Sequence, residues 1–483
     1  MKHRRRPLLP LCGALLAVVL AAALLGTPVA RAATACSAAD FPCGAAGECL
    51  IQGAWDVPSG CVLDFAGRDV RLAGTLRTAV VGGDFRLAAA GLVLDGGRIE
   101  LPGSQLDFAG SVVVELTGPF VMQGNAPAIV ADGNGGGGEI TIAANGATLA
   151  TGRISADGGT GEDCGDGGLI LLDAGSGTLR VENRLRARTA GHDCEGGEID
   201  LRGAAIEVSG SVDASGGAQA SDFAIWMGAI PGDLTITSTA RLRADGTGQY
   251  EGYGGIGGGM FLYAQGNVDV AASISARARG WQGIGGDVQI DGEGSVDVSA
   301  DVRLTTRGGS GGPFSINAGG PARVTGRIDT SGSRRQFAHG GSIQIRSAAS
   351  LTIAGSLDAS GRSAADVYLT GNPLLVTGTV SSRGVVQSGF FQADGCSAAI
   401  GGTIDLRTLR GTGDGQLTIA AARQSIASTA RLLADEGPCP YTLSGSCVEL
   451  TSRSGELSLS PSAVIDPTPG IVVDDMLPEC PPS

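Results

Sequence analysis

Two short acidic clusters stand one repeat length apart, Glu162-Asp163-Cys164-Gly165-Asp166 and His192-Asp193-Cys194-Glu195. If they stack, Glu162, Asp163 and Asp166 lie over His192, Asp193 and Glu195. Crowded carboxylates of this kind either raise one another's pKa or bind a hard cation through oxygen. That makes Glu162, Asp163, Asp166, Asp193 and Glu195 candidate Ca²⁺ ligands, and Asp163, Asp166, His192 and Asp193 weak candidates for glycoside cleavage by paired acid and base. The plain alternative, solvated turn residues around a disulfide, is the reading the sequence favours, and no catalytic set is recognisable. A second constellation is aromatic. Tyr250, Tyr253, Tyr263 and Trp281, with Trp226 a coil or two earlier, could line a sugar-binding platform, although such residues more often fill corners or a core.

The chain that must position these residues is organised by repetition. The pattern Gly-Gly-x-h-x-h, with h apolar, occurs at Gly137-Gly138, Gly167-Gly168, Gly196-Gly197, Gly258-Gly259, Gly285-Gly286, Gly311-Gly312, Gly340-Gly341 and Gly401-Gly402. Successive spacings are 30, 29, 62, 27, 26, 29 and 61 residues, and the two long gaps hold degenerate copies near Ile225–Met227 and Val367–Leu369. Between these lies a second pattern, h-x-small-x-Gly, as in Ile154 to Gly158, Val212 to Gly216, Leu242 to Gly246 and Leu357 to Gly361. Each unit of about 29 residues contains three short period-2 segments separated by Gly, Asn, Asp and Ser. No sustained helical period is present, and a propeller blade would need a longer unit. The expected fold is an all-β, single-stranded parallel β-helix of roughly 13 coils over 62–435, a rod about 60 Å long at ~4.8 Å per coil. Glycine, 82 residues of the total, is expected at corners that need positive φ.

The ends are different. Residues 1–32 read as a signal peptide, with basic Lys2, Arg4, Arg5 and Arg6, an apolar run from Leu8 to Leu25, and a small-x-small site at Ala30-Arg31-Ala32. The same run is at the lower length limit for a membrane anchor, and a lipidated Cys36 is a minor alternative. Cleavage would remove five of the 34 basic residues and no acidic one, leaving a formal charge of −19 and no lysine. Such a surface excludes nucleic acid as a partner and repels polyanions. Ten cysteines then remain, an even number that reads as disulfides in an exported chain. Cys164 and Cys194 occupy equivalent corners and are expected to bond. Cys439 should pair with Cys447 and, by elimination, Cys396 with Cys480. The pairing among Cys36, Cys43, Cys49 and Cys61 stays open. The expected organisation is thus signal 1–32, Cys-rich cap 33–61, β-helix 62–435, and Cys-rich cap or tail 436–483.

The repeats resemble those of the right-handed β-helix superfamily, which includes pectin-lyase-like enzymes and filamentous-haemagglutinin-type adhesins. The likeness lies in the Gly-Gly-x-h-x-h and h-x-small-x-Gly patterns and covers about three quarters of the chain. It implies the scaffold and withholds the chemistry; the extracellular or cell-surface setting comes from the leader and the cysteines, and an extracellular glycan or a cell-surface partner is the matching expectation. The polysaccharide-hydrolase signatures are missing: no Asn-Thr-Asp is present, His339-Gly340 falls on a corner pair, and the body has no lysine. The resemblance therefore favours a structural or adhesive solenoid over a lyase, a hydrolase or a calcium-stabilised spacer.

Overall fold

The computed structural model describes residues 33–477 except 45–46, 105–106, 160–164, 192, 251–252, 336, 411–414, 436–438 and 440–445. Glu162, Asp163, Cys164, His192 and Cys480, like residues 1–32, lie outside the described residues.

The chain is a parallel β-solenoid of about 13 coils. Among the described residues there is no α-helix, only one 3₁₀ turn at Ala38–Asp40. In a typical coil the first strand is Glu139–Ala143, the second Thr148–Ala150 and the third Arg153–Ser155. First and second strands of all coils form one continuous sheet, and third strands form another. Alternation decides which face is buried: Ile140 and Ile142 point inward, while Glu139 is exposed and Thr141 half-buried.

Stacking puts like residues in columns. Ile140 pairs with Ile170, Ile170 with Ile199, and Ile199 with Ile225. The column continues through Met260, Val288, Phe314 and Ile343. On the third strand Ile154, Leu185, Val212 and Leu242 form the facing column. All of these side chains are at most 3% exposed. At ~1.5–3 kcal/mol for each buried branched side chain, the columns are the main source of stability.

The two sequence patterns are the two sides of one corner. The second glycine of most pairs, and the first at Gly258-Gly259, donates its N–H to the carbonyl of the small or apolar residue two places past the inward residue of the preceding third strand. Examples are Gly168 to Ala156 (2.8 Å), Gly286 to Ala276 (2.7 Å), Gly312 to Leu304 (2.9 Å) and Gly341 to Thr330 (2.7 Å). Positive φ is not why glycine stands here, contrary to the sequence expectation, because none of these pairs adopts it. Neighbouring coils approach so closely that a Cβ on Gly168 would fall inside the carbonyl oxygen of Gly138, and one on Gly312 inside that of Gly286.

Gly401-Gly402 is a corrected assignment. It precedes a third strand, Thr403–Asp405, rather than a first strand. The counterpart of the corner glycine in that coil is Gly389, whose N–H reaches the Ser382 carbonyl (3.2 Å) ahead of the first strand. That strand, Phe390–Ile400, and the next, Gln416–Ile426, each fuse first and second strands into eleven residues without a turn.

Parallel stacking also extends beyond 62–435. Cys49–Ile51 and Ala54–Val57 pair with Val70–Leu72 and Thr75–Thr78. At the other end Val448–Ser452, Leu457–Leu459, Val464–Asp466 and Gly470–Val473 continue the coils. The Cys-rich ends are therefore coils themselves, because their apolar alternation matches that of their neighbours. At the first coil Cys36 bonds Cys61 and Cys43 bonds Cys49, over Phe41, Trp55 and Phe65, whose rings cluster at 4.8–5.7 Å. A sulfur bonded to Cys61 is not free for a lipid thioether, so lipidation at Cys36 is set aside. Near the last coils Cys439 bonds Cys447, with Cα atoms 5.1 Å apart. Cys194 and Cys396 are also disulfide-bonded, to partners outside the described residues.

Candidate functional site: an aromatic face on the first sheet

The outward positions of the first strands carry the chemistry of the surface. In Ile225–Ala229 and Met260–Ala264 the inward residues are Ile225, Met227, Met260 and Leu262, which leaves Trp226, Phe261 and Tyr263 facing out. Trp226 and Phe261 are direct partners on adjacent coils, with ring centroids 6.5 Å apart and planes 24° from parallel. Phe261 and Tyr263 follow at 6.5 Å and 4°. The residue beside Phe261's neighbour, Gly228, has no side chain, and the Trp226 indole folds over it into the space a Cβ would take.

Charged groups anchor both ends of this track. The guanidinium of Arg202 lies 5.2 Å from the Trp226 ring centre and is held by the carboxylate of Asp200, to which its Nε donates at 3.1 Å. At the other end the Tyr263 hydroxyl donates to Glu293 (2.8 Å), a bond that raises its pKa. Gln289 donates to Asp291 (2.6 Å), and Asn317 donates to the same carboxylate (2.8 Å). The rim is thus planar amides and carboxylates fixed in orientation before any ligand arrives.

Between Trp226, Phe261 and the exposed Phe223 lies a depression of about 330 Å³, edged by Asp222, Asp287 and Gln289. Asp287 is exposed overall, yet desolvation of its carboxyl group raises its pKa, only partly opposed by the N–H of Val288. A raised carboxyl pKa penalises the charged, folded form. That penalty is absent below the unfolded value and grows as pH rises through it. Asp287→Asn is accordingly expected to raise the melting temperature at pH 7 and to match the parent at pH 3; thermal melts at the two pH values check this.

The structure distributes the sequence candidates over two places. Trp226 and Tyr263 share the sheet face. Trp281 does not: it projects from a corner, 54% exposed, and Tyr250 and Tyr253 sit on a small hairpin at a corner as well. Phe261 and Phe223 were missed; the signal for Phe261 was the alternation Met-Phe-Leu-Tyr-Ala over 260–264. Of the acidic clusters, Asp166, Asp193 and Glu195 are described. The Asp166 carboxylate accepts the backbone N–H of Glu195 on the next coil (2.9 Å), so it acts as a coil-to-coil brace. Beside it a trough of about 420 Å³ is floored by three successive glycine pairs and flanked by Glu139 and Glu198. Its floor is bare because of the close coil stacking described above. No cluster of three or more metal-ligating side chains occurs among the described residues.

Comparison with models of protein families, with curated proteins and with solved structures yields no match to this chain.

Proposed function

We propose that this is an exported, disulfide-stabilised β-solenoid that binds an extracellular glycan on the outer face of its first sheet. The observation that carries the reading is the Trp226–Phe261–Tyr263 track with its pre-oriented rim. A pyranose presents an apolar C–H face and an equatorial ring of hydroxyls. Aromatic rings complement the first, and fixed carboxylates and amides the second. Asp222, Asp287, Asp291 and Glu293 make the rim acidic, which favours neutral over anionic sugars. Export is supported by the apolar N-terminal run, by disulfides at both ends, and by the lack of any long apolar helix among the described residues.

A second reading, glycan cleavage, has one observation in its favour: a carboxyl group of raised pKa, Asp287, stands beside the aromatic depression together with Asp222. A single screen addresses both. The purified protein is titrated against neutral, anionic and amino-bearing oligosaccharides, and the mixtures are analysed for shortened products. Binding of neutral glycans without new products is the expected result. No binding at ~1 mM sugar would remove the glycan reading, and released products would replace it with an enzymatic one.

A further inference from the structure

Among the described residues every exposed phenylalanine and tryptophan lies on one kind of corner, the turn from a third strand to the next first strand. Phe108 (62% exposed), Phe223 (71%), Trp281 (54%) and Phe337 (71%) all stand there, and aliphatic Leu409 follows at the same corner. Phe337 is held at φ 63°, a conformation bulky residues rarely adopt. Monomeric surfaces scatter their exposed apolar groups, whereas these form a line along one edge of the rod.

Charge along that edge is sorted by position. The early tips carry an excess of acid: Asp107 beside Phe108, then Asp193 and Glu195, which outnumber the exposed Arg188 on the same corner. The tips of late coils are basic: Arg334 and Arg335 beside Phe337, then Arg410 beside Leu409. All six are exposed, and no ion pair joins any of the three arginines to another described residue. In contrast, several arginines on the sheet of third strands are paired with acids, as Arg243 is with Asp245 and Arg327 with Asp329.

The spacing of the tips is symmetric. Numbering coils from zero at the strand Ser111–Leu116, Asp107 precedes coil 0 and Asp193 and Glu195 precede coil 3, which begins at Glu198–Gly203. Arg334 and Arg335 precede coil 8, beginning at Ile343–Ser347, and Arg410 precedes coil 11, beginning at Gln416–Ile426. Acidic tips are three coils apart and so are basic tips, about 14 Å in each case. Both acid-to-base pairs share one midpoint, between the coils of Met260–Ala264 and Val288–Gly292.

We infer that two copies of this chain associate side by side and antiparallel along this edge, about a two-fold axis at that midpoint. Asp107 then meets Arg410 of the second copy, and Asp193 with Glu195 meets Arg334 with Arg335. The contact strip is about 50 Å long, enough for the ~800 Å² per partner of a standard interface. A two-fold contact requires a self-complementary patch, and opposite charges mirrored about one point satisfy that requirement.

The test is sedimentation velocity on the protein purified as its cells produce it. At 10 µM and 50 mM salt the parent should sediment as a dimer and dissociate by 500 mM salt, as exposed charge pairs are screened. Arg334→Glu with Arg335→Glu should weaken the dimer at least 100-fold without changing the melting temperature. Adding Asp193→Arg and Glu195→Arg to that variant should restore it, and Arg410→Glu, rescued by Asp107→Arg, repeats the cycle should the first set fold poorly. A parent that is monomeric at 50 mM salt overturns the proposal, as does a reversal without effect or without rescue. A monomer whose retention on an immobilised polyanion depends on Arg334 and Arg335 also overturns it, in favour of an anionic polymer at the basic tips.

Discussion

Gly168→Ala is expected to destabilise the protein by more than ~3 kcal/mol. The added Cβ would enter the carbonyl oxygen of Gly138 and press on backbone of the coil below, where no side chain can swing away. Relief requires moving two coils apart. Separation stretches the corner bond from Gly168 to Ala156 and opens the column of Ile140, Ile170 and Ile199, each buried completely or nearly so. Overpacking in well-packed interiors costs 1–3 kcal/mol when side chains absorb it, and backbone absorbs less. A control is Gly67→Ala. Gly67 turns with φ 74° at an open corner where a Cβ meets nothing within 4 Å, so the strain there is local and the expected cost about 1 kcal/mol. Urea titrations of the two variants measure the difference; equal losses would show that coil contact is not what glycine serves.

Trp226→Ala is expected to reduce affinity for a bound neutral glycan at least tenfold while shifting the melting temperature little. The ring stands on the outer face and its removal leaves the inward residues Ile225 and Met227 in place. It also frees Arg202 from its stack and removes one wall of the depression shared with Phe261. Trp281→Ala is the informative partner, since both tryptophans were equal candidates for a platform. Trp281 lies on a corner apart from the track, so its loss should leave glycan affinity unchanged. Calorimetric titration of the two variants separates the roles. If Trp281 mattered and Trp226 did not, the binding surface would have to be moved to the corners.

The architecture was legible because a solenoid writes its period into the chain. Ile140, Ile170 and Ile199 recur at one interval because each sits on the last, and the corner glycines recur with them. What misled was local degeneracy. Gly401-Gly402 has the same pattern as a corner pair, but the eleven-residue strand Phe390–Ile400 absorbs a turn and moves the phase of that coil, which pattern matching cannot detect. The caps misled for a related reason: clustered cysteines drew attention from the apolar alternation of Cys49–Ile51 and Val448–Ser452. The aromatic face was half visible. Trp226 and Tyr263 stood out as residue types, but grouping them needed coil number, and the distance in sequence from Trp226 to Phe261 hides their direct pairing.

The covalent bonds at the ends have a mechanical consequence. In a stack where each layer touches only the layers beside it, thermal opening would ordinarily begin at the terminal layers, which lack a neighbour on one side, and travel inward. Here the first layer is pinned by Cys36–Cys61 and Cys43–Cys49, and a late one by Cys439–Cys447. Peeling from the first layer is thereby suppressed, and opening at that end must wait for the interior, where it breaks contacts on two sides at once. An object built like this resists unravelling far beyond what its thin core of alanine, valine and isoleucine would supply unaided, and it surrenders that resistance when the surrounding medium becomes reducing.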